Sequence, residues 1–137
     1  MLIQKRGLSK FKWFLKKAST DIQLGDALAF DGLGYVTRAT SSSTTIIGAS
    51  KRAVVSTDSD YASNTSIPVQ TFGSDDEIEI DASTTVTQAM VGTQRDLSNS
   101  STLNVGALGT NNIFRVIGIG STTSKAVVSV VKSSITD

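Results

Sequence analysis

The chain has 137 residues, of which 39% are hydrophobic and 18% charged, the composition of one folded domain and not of a disordered polymer. It contains no Cys and no His, which removes disulfides, thiol nucleophiles, thiolate metal sites, imidazole bases and the usual zinc ligands. Its net charge of +1 hides an asymmetry: the first 17 residues carry six cations and no acid, while the rest carries seven Lys or Arg and all 12 acids.

The first predicted element is a basic, aromatic N-terminal arm, residues 1-20, ahead of a β-rich body, residues 21-137. In it Lys5, Arg6, Lys10, Lys12, Lys16 and Lys17 are interleaved with Phe11, Trp13 and Phe14. Two geometries fit. As a helix, Ile3, Gly7, Leu8, Phe11, Phe14, Leu15 and Ala18 share a stripe opposite the six cations, with Trp13 among the cations. As a strand, Phe11, Trp13 and Leu15 alternate with Lys10, Lys12 and Lys16, interrupted only by Phe14. Gly7, the short length and cations at the helix start disfavour a free helix, so the arm is expected to be disordered alone and to order on contact. Those six cations and three aromatics are the candidate partner-binding residues. Deleting Met1 to Lys17 is expected to leave a folded body that no longer binds.

Trp13-Phe14-Leu15, the arm's longest apolar run, is shorter than the ~7–15 residues of a signal-peptide core. No run approaches the roughly 20 apolar residues of a membrane-spanning helix. The chain is expected to be soluble and not exported through a cleaved signal.

In the body, Ser and Thr make up more than a quarter of the chain, and Gly, Asp, Asn and Ser clusters interrupt the apolar stretches at roughly ten-residue intervals, the rhythm of an all-β protein. Strands are predicted over Ala27–Phe30, Gly34–Arg38, Thr45–Ala49, Arg52–Ser56, Ile67–Phe72, Glu77–Asp81, Thr85–Val91, Thr102–Val105, Ile113–Ile119 and Lys125–Val131. Asp31-Gly32-Leu33-Gly34 between the first two is the clearest hairpin signal, because glycine supplies the positive φ such a turn needs. In Glu77-Ile78-Glu79-Ile80-Asp81, strict alternation predicts a strand with two buried isoleucines and one wet, acidic face. The near-continuous apolar run from Ala126 to Val131 suits a strand covered on both faces. Pro68 is expected on an edge strand or at a strand start. The fold expected is a small β-barrel or β-sandwich of short antiparallel strands, with an extended or short-helical arm.

No catalytic constellation emerges, and neither an enzyme nor a cofactor is expected. Asp58 and Asp60, and Asp75, Asp76 and Glu77, are possible oxygen donors to a cation, but they lack the spacing of a calcium loop and read better as turn and strand-face residues; no metal site is expected. Gly118 to Lys125 has Ser124 where a phosphate-binding loop needs glycine and Ala126 where it needs a magnesium-binding hydroxyl, so a hairpin loop is expected there.

The run Gln23 to Thr40, followed by Ile46-Ile47-Gly48-Ala49, resembles the capsid decoration (cement) proteins of tailed bacteriophages, with their Gly-Asp turn, strand, Gly-containing hairpin, second strand and Ile-Gly-Ala strand. Ser56 to Val69 also resembles phage structural proteins. The resemblance implies a virion protein on the outer surface of the capsid, a homotrimer that binds assembled major capsid protein and stabilises the shell. No small-molecule substrate, membrane or nucleic acid is expected as partner. The alternatives are another virion component (tail or connector), or a nucleic-acid or membrane-surface binder that uses the basic arm.

Overall fold

The structure, a computed structural model, describes residues 1–135. Its strands are β1 (Ile3–Arg6), β2 (Lys10–Leu15), β3 (Ala27–Phe30), β4 (Val36–Arg38), β5 (Gly48–Ser50), β6 (Ser66–Thr71), β7 (Glu77–Ala82), β8 (Gln94–Arg95), β9 (Leu97–Asn99), β10 (Thr102–Leu103), β11 (Phe114–Ile119) and β12 (Lys125–Val130). The described residues contain only two short 3-10 turns, Gln88–Met90 and Lys132–Ser134, beside these strands. The protein is all-β.

Five strands form a sheet in the order β2-β6-β5-β3-β4, which curls until Lys16 bridges Val36 and its two edge strands meet at one end. This nearly closed barrel is filled by Ile22, Leu28, Val36, Ile47, Val54, Ile67 and Val69. The second sheet runs β8-β11-β12-β7-β10-β9, with β1 added to the edge of β7 that β10 also uses. A larger cluster that includes Leu2, Ile78, Ile80, Leu97, Leu103, Phe114, Val116, Val128 and Val130 packs on its inner face and draws in Ala27, Ala49 and Phe72 from the barrel. Period-two alternation builds this core, since Ala126, Val128 and Val130 are buried while Val127 and Ser129 between them, and Lys125 before them, are half-buried.

The β3–β4 hairpin forms where the sequence predicts it, with Phe30 opposite Val36. Gly32 and Gly34 have φ of 88° and 91°, and Asp31 organises the loop by accepting hydrogen bonds from the amides of Leu33 and Tyr35. The loop from Gly120 to Ser124 likewise closes the β11–β12 hairpin, with Gly120 N–H donating to the Lys125 carbonyl.

Other expectations need correction. Over Thr85–Val91 the chain makes a 3-10 turn and no strand, and of Arg52–Ser56 only Val54 pairs, through a bridge to Ile22. Pro68 lies within β6, a strand paired on both sides. It is tolerated because its nitrogen points beyond the end of β5, toward the side where its carbonyl accepts from Lys51. The acidic face of β7 is only partly wet: Glu79 is 5% exposed with β1 alongside, while Glu77 and Asp81 keep partial exposure.

Candidate interaction surface

The basic arm is woven into both sheets. β1 pairs with β7 of the second sheet, β2 pairs with β6 of the barrel, and Leu2 is fully buried. The chain turns between them at Gly7, whose φ of 110° admits few other residues and where a Cβ would overlap the Asp76 carboxylate. This overturns the expectation of an arm disordered until it meets a partner. The physical reason is charge and register: a basic strand has an acidic strand to pair with inside its own chain.

That pairing uses two of the nine candidate residues. Lys5 Nζ lies 4.0 Å from Glu79, and Arg6 Nε lies 3.4 Å from Glu77. Glu79 also accepts from the Ser121 amide at 2.8 Å; that bond, with the Ser121 hydroxyl and the charges of Lys5 and Lys125, holds its carboxyl below the usual range despite burial. A third candidate, Lys16, is wholly buried. Its Nζ donates to the carbonyls of Lys17, Thr20 and Tyr61 at 2.7, 3.2 and 3.1 Å and sits 5.4 Å from the centre of the Tyr61 ring. Burial pulls its pKa below the ordinary lysine value, against the opposing charges of Asp60 and Asp21. Lys16 therefore tethers the barrel seam and is withdrawn from any surface.

Of the other six, Lys10, Phe11, Lys12, Trp13 and Phe14 are brought together along β2, and Lys17 follows just beyond its end. Lys16 N–H donates to the Thr65 carbonyl, and the register of Lys10, Lys12 and Phe14 with Thr71, Val69 and Ile67 continues that rung. By the alternation of antiparallel ladders, the backbone groups of Phe11, Trp13 and Leu15 point away from β6, toward the open edge of the sheet. That edge is covered at its far end, where the parallel bridge of Lys16 to Val36 engages the Lys17 N–H and the Leu15 carbonyl, and it is open along Phe11 and Trp13. The side chains of Phe11, Trp13 and Leu15 share the outer face and are 55, 67 and 48% exposed. Phe14 turns inward and meets Phe30 edge to face, with ring centres 5.5 Å apart. Leu15 belongs to the exposed stripe, and its period-two spacing from Phe11 and Trp13 is the signal that identifies it.

Beneath the inner face of β2 runs a groove of about 780 Å³, lined by Leu8, Lys10, Lys12, Phe14, Phe30, Ile47 and Phe72, together with Lys132, Asp75 and Asp76, the last beside Gly7. Lys10, Lys12 and Lys17 have no carboxylate within 4.0 Å among the described residues. An open backbone edge, an apolar stripe and unpaired cations on one fixed strand have the makings of a strand-addition site.

The acid clusters have local work. Asp58 accepts from the Val55 amide and Asp76 from the Gly73 amide, closing turns, while Asp60 is held below the usual carboxylate range chiefly by its hydrogen bond from Arg52, 2.6 Å away. No group of three or more acids able to hold a metal ion occurs among the described residues. Two structural centres escaped the sequence reading. Asp96 gathers the amides of Thr110, Asn111 and Asn112 and the Thr110 hydroxyl; burial pushes its pKa up, but these bonds prevail and hold it low. Asp26, almost fully buried, joins Arg38 at 2.9 Å to Ser100 at 3.0 Å and so ties the barrel to the second sheet. No family model matches this chain, and no curated protein does.

Proposed function

We propose that this protein is a structural component of a tailed-phage virion, a capsid decoration protein that docks through β2 onto assembled major capsid protein and stabilises the shell from outside. The observation that carries the docking is the open edge of β2, with Phe11, Trp13 and Leu15 presented on a strand already fixed in the fold. The capsid is suggested by the likeness of Gln23 to Ala49 to decoration proteins, a stretch that forms the Gly25-Asp26 turn, β3, the glycine hairpin, β4 and the start of β5.

Pre-organisation matters to the energetics. Covering the three exposed apolar side chains would contribute on the order of 1.5–3 kcal/mol each. Association costs roughly 4–15 kcal/mol, but a preformed strand avoids the further cost of ordering a loose arm. A homotrimer would present three such strands and gain avidity where all three reach their sites. Neither a substrate nor a cofactor enters this reading. A nucleic-acid role is weakened because Lys5 and Arg6 are engaged by Glu79 and Glu77 and Lys16 is buried, which halves the free charge of the arm.

The test is occupancy of purified, undecorated phage heads by wild-type protein and by a Phe11→Ala, Trp13→Ala double variant. Strong decoration by the wild type and loss by the folded variant are expected. Absence of wild-type decoration, or equal occupancy by both proteins, would contradict the proposal.

A further inference from the structure

We infer that the open edge of β2 takes an extended segment of a partner protein in which acidic and apolar residues alternate, the acids on the groove side and the apolar residues on the outer side. This deepens the docking just proposed and rests on it only for the identity of the partner.

The pattern follows from the two faces of β2. A strand added along this edge hydrogen-bonds to the free backbone groups of Phe11 and Trp13, stopping where Val36 takes the Leu15 carbonyl, and its side chains then point alternately to either side of the sheet. On the outer face they meet Phe11, Trp13 and Leu15, which favours apolar residues. On the groove face they meet Lys10 and Lys12, which have no carboxylate within 4.0 Å among the described residues although Asp75 and Asp76 line the same groove, and then the Phe14 and Phe30 rings. Acids on that face neutralise both lysines. The molecule already contains one pairing of this kind, where basic β1 lies on Glu77-Ile78-Glu79 of β7.

A second copy of the chain fits less well. Antiparallel self-pairing centred on Trp13 would set Lys10 opposite the position of Lys16 and Lys12 opposite Phe14, placing like charges together and leaving the groove-side lysines without partners. The acidic strand β7 of a second copy is flanked on both edges and cannot be the donor.

The experiment uses the full-length protein and four short fluorescent peptides: one alternating glutamate with valine and isoleucine, one with lysine replacing each glutamate, and two versions of the acidic one N-methylated at alternate residues, one in each phase. The acidic peptide is expected to bind saturably and the lysine peptide at least about tenfold more weakly. One methylation phase should abolish binding and the other leave it, and the Lys10→Glu, Lys12→Glu double variant should invert the charge preference. No saturable binding of the acidic peptide, equal binding of both charge types, indifference to methylation phase, or displacement of the peptide by a single-stranded oligonucleotide would overturn the inference. Peptide binding by a protein that fails to decorate heads would sink the capsid reading alone. Decoration of heads by a protein that ignores the peptide would sink this one alone.

Discussion

Trp13 stands directly opposite Pro68, in a pair whose backbone groups turn away from one another. Proline costs the β2–β6 ladder nothing at that position, and the peptide groups of Trp13 are left facing the open edge. The two residues together therefore mark which backbone groups of β2 are available to a partner.

Because Trp13 and Phe11 are mostly exposed, their truncation should separate binding from stability. Trp13→Ala and Phe11→Ala are expected to shift stability by no more than about 0.5 kcal/mol, as surface changes do. Their loss of partner binding should reach about 2 kcal/mol where the ring is buried at the contact. Denaturant melts beside head-binding titrations check both numbers.

Removing the arm is expected to damage the fold, contrary to what its composition suggests. Deletion of Met1 to Lys17 strips β1 from β7, β2 from β6, and Leu2 and Lys16 from buried positions. The point variant Leu2→Ala alone should cost about 2–5 kcal/mol, the usual penalty for emptying a buried aliphatic site. Circular dichroism melts of the two variants measure this; a deletion with an unchanged melting point would contradict it.

Lys16→Met tests the tether at the barrel seam. Methionine fills much of the lysine volume but leaves the carbonyls of Lys17, Thr20 and Tyr61 without that donor. The Tyr61 carbonyl keeps the Ser19 amide as donor, and a carbonyl left without any partner costs about 1–3 kcal/mol where it is buried. Urea denaturation should show a clear loss of stability, and faster amide exchange at Lys17 should report the loosened seam.

Much of the fold was legible from short-range pattern, and the rest depended on what pairs with what. The β3–β4 hairpin could be read because Asp31-Gly32-Leu33-Gly34 carries its own turn chemistry, and β7, β11 and β12 because one face of each is apolar. In β2, Phe11, Trp13 and Leu15 show the strand period, but nothing local says that Ser66 to Thr71 receives it. β1 has almost no pattern of its own, and Ile3 to Arg6 becomes a strand through Glu77 and Glu79, more than seventy positions away. For the same reason Lys16 reads as one more surface cation until the bridge to Val36 encloses it. Asp96 reads as one acid among many because its partners, Thr110 to Asn112, lie in a distant loop.

Acid should act through Glu79 and Asp96, whose folded-state values both lie below the ordinary 4.5 and 3.8. A carboxyl depressed by folding stabilises the native state fully above its ordinary value and loses that contribution as the pH falls through the lower, folded one. Glu79→Gln and Asp96→Asn are therefore expected to be less stable than wild type at neutral pH, yet to lose less stability between about pH 5 and pH 2. Stability curves that run parallel to wild type across that range would contradict the assignment.

The most direct test of the central claim is residue-resolved amide hydrogen exchange in the free protein and in protein released from phage heads after exchange while bound. In the free protein, the Phe11, Trp13 and Leu15 amides should exchange much faster than those of Lys12 and Phe14, which face β6. On the heads, those three should become protected together. Protection of Phe11, Trp13 and Leu15 already in the free protein, or no change in them on decorated heads, would contradict the account.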